Sequence, residues 1–242
     1  MLSENTETEL YEDKHLKKEK IISLAIIFIF VPLTALSDIY VFKNTMYNIL
    51  STVIMLEILF ALIISAEGRR LKTGELIIVA VMSAIGVCGR MAFYMLPQVK
   101  PLAAIIIISG ISLGAYHGFL VGALSVFVSN IFFGQGIWTP WQMFGFGIIG
   151  FVSGIVFNKK KPGRLSLSAF GFASVLIIYG GIMNPASVLM FQPSPKLGMI
   201  ITSYIMGFPF DMVHAVSTAL FLLIIGRPMF EMIARIKQKY NI

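Results

Sequence analysis

Two tryptophans, two glutamines, a threonine and a proline fall within Gln135 to Gln142, between two long apolar stretches. Trp138 and Trp141 are the only tryptophans in the chain. Side-chain amides beside indoles can hydrogen-bond to a flat heterocycle and stack on it. A lone Trp at the edge of an apolar run is also explained by its amphipathic ring, which anchors at a membrane interface. That accounts for one tryptophan, but poorly for the neighbouring Gln-Gly and Thr-Pro pairs. Two other segments carry the same chemistry. Leu96-Pro97-Gln98-Val99-Lys100-Pro101 holds Gln98 between two prolines, which restrict the loop. Tyr179, Asn184 and Gln192 sit in and after a later apolar run, and Asn130 shortly precedes Gln135. For each residue alone, interface anchoring or loop capping is the plain alternative. As a set, Gln98, Asn130, Gln135, Trp138, Thr139, Trp141, Gln142, Tyr179 and Asn184 match aromatic walls with a few placed polar groups, the build of a small-ligand pocket.

Ionisable residues inside apolar runs are costly and face a cavity or a partner. Arg90, Asp211, His214 and Asp38 are of this kind. Asp211 and His214 are three apart and share a helix face. Two readings of Arg90 and Asp211 stand at this point: a polar site for an anionic or heteroatom-rich ligand, or an ion pair locking two helices. Asp38, near an outer span end, reads as interfacial. The chain lacks a G-x-x-x-x-G-K-[ST] phosphate loop, an H-E-x-x-H zinc motif and a G-x-S-x-G nucleophile elbow. His15, His117 and His214 are dispersed, so neither a metal set nor a catalytic constellation is expected. Cys88 is the single cysteine, which excludes an intrachain disulfide and a Cys-based metal cluster.

The elements that position these groups are membrane helices. The composition is 57% hydrophobic and 13% charged, with a mean hydropathy of +0.85. Soluble domains are about 25% charged. The net charge of +7 reflects basic residues beside the apolar runs and gives no support to nucleic-acid binding. The polar first 20 residues, with no small-residue cleavage site after the first run, do not read as a cleavable signal peptide.

Apolar runs of about 20 residues predict about eight spans. They are Ile21–Asp38, Met46–Ser65, Leu76–Leu96, Pro101–Gly114, Gly118–Phe133, Trp141–Phe157, Leu167–Met183 and Leu197–Gly226. Basic clusters at Lys14–Lys20, Arg69–Lys72, Lys159–Arg164 and Arg227–Lys239 alternate with sides carrying only Lys43, Lys100 and Lys196. The positive-inside rule then places both termini in the cytoplasm and the Trp-rich segment outside. The expected fold is an all-α membrane protein. Residues 1–70 form an N-terminal extension with two transmembrane helices, 71–228 a six-helix core, and 229–242 a basic cytoplasmic tail. Small residues are concentrated in the core and let membrane helices approach closely. Ala80 and Ala84 share a face; Gly110/Gly114, Gly118/Gly122 and Gly150/Gly154 read as packing inside the bundle. No internal repeat supports an inverted-repeat transporter.

The core resembles the substrate-binding S components of energy-coupling factor (ECF) transporters. The resemblance covers roughly residues 71–228. It is carried by Gly89-Arg90, the LPQVKP loop, the small-residue hairpin Gly110 to Gly122, the run Ser129–Gly136 and, most specifically, Trp138-Thr139-Pro140-Trp141-Gln142-Met143. It implies capture of a vitamin-like ligand in an outward-facing pocket of a multi-pass protein of the cell membrane, with no cofactor. It further implies docking on a transmembrane coupling protein that carries two ATPase subunits, which fits the missing phosphate loop. Ala80 and Ala84 match the family's small-residue strip facing the coupling protein, provided that the N-terminal pair leaves them free. The subfamily looks closest to cobalamin-type S components. The alternative, an autonomous ion-coupled secondary transporter, would have to use Asp211 with His214.

Overall fold

The structure, a computed structural model, describes residues 21–240 except 44–45, 47–48, 51, 55, 58–59, 62–63, 65–72, 159, 161 and 193–194. The basic residues before Ile21, the loop Glu67–Lys72, Lys159, Lys161, His15 and the Asp38 side chain lie outside the described residues. All regular structure among the described residues is helical. We number the helices α1 (Val31–Tyr40, continuing a π-helical turn Ile26–Phe30), α2 (Thr73–Ala92), α3 (Leu102–Leu113), α4 (Ala115–Phe133), α5 (Thr139–Phe157), α6 (Arg164–Ala173), α7 (Gly180–Phe191) and α8 (Leu197–Lys239). A second π-helical turn, Ser174–Tyr179, joins α6 to α7 in one apolar span of 28 residues. Five helices are long and apolar enough to cross a membrane, and Ile21–Ser37 and Leu102–Leu113 are shorter apolar helices.

At the centre stands α3, LAAIIIISGISL, apolar on every face and buried from Leu102 through Ile111. A helix apolar all round belongs inside a bundle. Its 12 residues reach about 18 Å, short of the roughly 30 Å hydrocarbon layer. It turns directly into α4 through Gly114, whose φ of 103° ends one helix and starts the next. The tight hairpin predicted around residues 115–117 thus turns one residue earlier, because Gly114 takes the left-handed backbone that an L side chain resists. Gly134, with φ 99°, ends α4 in the same way.

Close backbone approach fixes α3, α4 and α5 together. A methyl at Gly110, Gly118 or Gly150 would overlap the backbone of a facing helix, and one at Gly122 would meet the backbone of Phe146 and Gly147. Gly154 packs on the Ala115 backbone. Ser153 Oγ donates across to the Ile107 carbonyl at 3.2 Å.

The long apolar span departs from the expected boundaries. The span expected to end at Met183 continues as helix through Phe191 although Pro185 lies inside it. Proline cannot donate to the carbonyl four residues back, here Gly181. The Tyr204 hydroxyl of α8 donates to that carbonyl at 3.0 Å instead. α8 is 43 residues long, about 65 Å, roughly twice the hydrocarbon thickness. Its last turns, within the segment read as a tail, stay helical, with Phe230 and Ile233 buried and Lys237 Nζ donating to the Ser112 carbonyl at 3.2 Å.

Ahead of α2, Ser23 Oγ donates to the Ala61 carbonyl at 2.9 Å, and Thr34 Oγ1 to Glu57 Oε1 at 2.6 Å. Phe28 meets Phe151 of α5 edge to face at 5.2 Å between centroids. Ala80 and Ala84 are exposed on α2.

Candidate functional site

Gly89 and Arg90 end α2. A methyl on Gly89 would press on the Pro101 ring at 2.7 Å, so glycine lets the start of α3 close onto α2. Lys100 fastens the same loop, donating to the Phe93 and Leu96 carbonyls at 3.2 and 3.0 Å. Cations at helix C-termini complement the exposed carbonyls there. Burial first, and the Arg90 charge second, hold the Lys100 ammonium below the usual lysine range.

With the loop fixed, Arg90 reaches α4. Its Nη1 donates to Ser129 Oγ at 2.6 Å and to Asn130 Oδ1 at 2.7 Å, and its guanidinium lies 5.0 Å from the Phe133 ring centre. Asn130, fully buried, is the hub. Its Nδ2 donates to Thr139 Oγ1 and to Gln142 Oε1, both at 3.0 Å. Polarity propagates from the arginine. A guanidinium can only donate, so it turns the Asn130 oxygen inward. The Asn130 amide must then donate on its other side. That draws the Gln142 oxygen and leaves the Gln142 amide group beside Tyr179. Thr139 Oγ1 also accepts from the Gly136 backbone at 3.2 Å, tying the entry of α5 to the same hub.

Tyr179 sits at the end of the π-helical turn, a local widening that is frequent at functional sites. Its ring packs on Phe146 at 4.6 Å and edge to face on His214 at 5.3 Å. Arg90 and Lys100 both lie close enough to act electrostatically on buried His214, whose Nδ1 has no partner. Among the described residues no carboxylate lies within 4.0 Å of Arg90, and its Nε and Nη2 carry no bond.

The predicted residues divide accordingly. Arg90, Asn130, Thr139, Gln142 and Tyr179 come together. Trp141 sits in the first turn of α5, packed against the apolar core. Trp138 is 38% exposed and lies over Gly136, where a methyl would strike the indole. Gln135 folds back on α4, its Nε2 donating to the Phe127 carbonyl at 3.1 Å, with its Oε1 buried and unpartnered. Gln98 is exposed in the α2–α3 turn at φ 59°. Asn184 belongs to a separate contact: its Nδ2 donates to Asp211 Oδ2 at 2.7 Å. That bond, and the absence of any Arg90–Asp211 contact within 4.0 Å, replaces the ion pair considered from sequence.

Ser129, Phe133 and Phe146 also belong to the cluster and were not among the candidate ligand residues. Ser129 and Phe133 lie one and three residues from Asn130, within the run Ser129–Gly136 that carries the resemblance. Phe146 lies four residues after Gln142, on the same helix face. Among the described residues no three His, Cys, Asp or Glu side chains gather as a metal site.

The fold defines a multi-pass, all-helical membrane protein. Comparison with known proteins narrows this. The family described as ECF-type riboflavin transporter, S component, matches residues 70–235, and the chain belongs to that family. The family is one of transporter components rather than of enzymes. A UPF0397 protein of Vibrio atlanticus is 28% identical over 120 residues, 46% of this chain and 65% of that protein. Two UPF0397 proteins of Aliivibrio fischeri are 26% identical over 123 residues, 47% of this chain and 67% of theirs. The chain thus spans about two thirds of the length of these relatives. No solved structure matches.

Proposed function

We propose that this chain is the substrate-capturing subunit of an ATP-driven ECF-type importer of the cell membrane. In this reading it binds a flat, carbonyl-bearing, vitamin-like heterocycle at the Arg90–Asn130–Gln142–Tyr179 cluster. One observation carries the reading. Arg90 is held by neutral acceptors only, with donors left over and no carboxylate within 4.0 Å among the described residues. A charge at membrane depth is costly without a partner. A carbonyl-rich or anionic ligand supplies one, accepting from Arg90 while Tyr179 and Phe146 flank its ring. The acid that an ion-coupled transporter would use, Asp211, is engaged by Asn184.

The family's description points to riboflavin as one ligand to test, and the sequence resemblance points to cobalamin. Both carry ring or amide carbonyls of the required kind. The test is equilibrium binding of each vitamin to the purified full-length protein, followed by its own fluorescence or absorbance. Stoichiometric binding of one, weakened about 100-fold by Arg90→Met, is the expected result. No binding across a vitamin panel, or binding indifferent to Arg90→Met, overturns the proposal.

Delivery in this reading needs a membrane coupling protein with two ATPase subunits. Ala80 and Ala84 form its contact strip, four residues apart and exposed on α2. The described part of the extension lies against α5 through Phe28 and Phe151, which leaves the strip open to it. Ala84→Trp is expected to abolish co-purification with a coupling module and to spare vitamin binding. Unchanged co-purification would remove Ala84 from the interface.

A further inference from the structure

A second polar site lies at the opposite, basic end of the bundle. There the start of α6 meets the middle of α8: Leu167 packs on Gly226, and Leu222 on Gly171. Between them is a cavity of about 380 Å³, whose lining includes Arg164, Leu167, Leu222, Arg227, Phe230 and the carboxylate of Glu231. Volumes of about 300–1,000 Å³ are typical of small-molecule sites. Its wall is apolar and buried: Leu167, Leu222 and Phe230 are 2%, 1% and 6% exposed.

Its charged rim is under-used. Arg164 is exposed and has no partner among the described residues. Arg227 donates through Nε to Glu231 at 3.0 Å, an exposed pair of adjacent turns, and leaves both terminal nitrogens free of a bond. Such exposed pairs contribute little in water, so Arg227 is not committed to Glu231. Gly163 precedes the first turn of α6 without any side-chain cap, and a methyl there would meet open space. The first backbone N–H groups of α6, which starts at the lining residue Arg164, have no side-chain cap, and the positive end of the helix dipole lies there. Leu165, next in sequence to Arg164, and Ile224, three residues before Arg227, are 81% and 69% exposed, apolar side chains open to acyl chains.

We propose that this cavity binds the phosphate headgroup of an anionic phospholipid of the inner leaflet. Arg164, Arg227 and the start of α6 hold the phosphate, and the chains run over Leu165 and Ile224. Basic pockets between helices on the cytoplasmic side are suited to such headgroups. A free phosphate ester shares the charge chemistry but makes no use of the apolar surface, so the lipid is the occupant assigned.

The test is native mass spectrometry of the full-length protein in mild detergent, titrated with phosphatidylglycerol, phosphatidylcholine or glycerol 3-phosphate. Phosphatidylglycerol should be retained at least about five-fold over phosphatidylcholine, with glycerol 3-phosphate failing to displace it. The double variant Arg164→Gln/Arg227→Gln should bring phosphatidylglycerol down to the phosphatidylcholine level. Arg164→Lys/Arg227→Lys should keep most of the preference, and Lys43→Gln, remote from the cavity, all of it. Thermal unfolding of each variant without lipid separates lost binding from lost fold. Equal retention of the two lipids, a double variant that keeps the preference, or displacement by glycerol 3-phosphate overturns the proposal. Vitamin binding, read in the same samples, reports on the outer cluster independently.

Discussion

The cluster at Arg90 and the contact at Asp211 use the same raw material to opposite ends. Each is an ionisable side chain within an apolar helix, bonded to an asparagine of another helix. At Asp211 the environment closes around the pair. A methyl on Gly180 would lie 2.7 Å from Asp211 Oδ2, and Gly207 gives way in the same manner to Asn184 Oδ1. Two glycines thus let α7 and α8 draw together on that bond, and Tyr204 adds the nearby contact to Gly181. At Arg90 the neighbours are neutral, the hub Asn130 has spent all its donors, and the guanidinium still has some to offer. Asp211 joins two helices where glycines let them close on its bond to Asn184, whereas Arg90 meets only neutral acceptors and keeps donors for a ligand.

The largest effect expected from this contrast is the loss of ligand at Arg90. Arg90→Met should weaken vitamin binding about 100-fold, roughly 2.7 kcal/mol, with thermal unfolding little changed. A variant that unfolds instead would make Arg90 a helix lock like Asp211. Asn130→Asp comes next. It places a carboxylate on the guanidinium and removes the donors to Thr139 and Gln142, so affinity should fall about 10- to 100-fold, read by the same titration. Asp211→Ala should do the reverse. Membrane hydrogen bonds are worth about 0.6–1.7 kcal/mol, so stability in detergent should drop by about that amount, with affinity within about three-fold of the parent. A collapse of affinity there would merge the two regions into one site. Gln142→Ala should cost about ten-fold in affinity and Trp138→Ala about three-fold or less, because Gln142 belongs to the hub and Trp138 lies at the rim.

The smallest effect concerns pH. Burial and Arg90 lower the Lys100 pKa, so its proton leaves earlier on the alkaline side than from a free lysine. Affinity for a carbonyl-rich or anionic ligand should decline as pH rises through that lowered range. Lys100→Gln should flatten this limb of the profile, and an unchanged slope would remove Lys100 from the electrostatics of the site.

Much of the fold was legible because a bilayer imposes lengths and charge placement that composition reveals directly. Apolar runs located the helices of the core, four of the six within about four residues, while the last two run on to Phe191 and Lys239. Boundaries moved for different reasons: Gly114 turned the hairpin in one residue, Tyr204 takes up the carbonyl that Pro185 leaves free, and buried Phe230 and Ile233 accompany α8 on to Lys239. The site was legible as a set of residue types in separate segments, but not in its pairing. Nothing local tells Asn130 to face Arg90, 40 residues earlier, or Asn184 to face Asp211, 27 residues later.

The sequence by itself determined that this is a helical membrane protein with an amide- and indole-rich end and basic clusters on the other side. Hydropathy and charge act residue by residue, whatever the packing. Only the tertiary structure decided which ionisable group joined two closely packed helices and which met neutral acceptors with donors to spare. That choice depends on how close α2, α4 and α5 come at one end and α7 and α8 beside it. Glycine contacts between helices set those distances, and no spacing along one helix contains them.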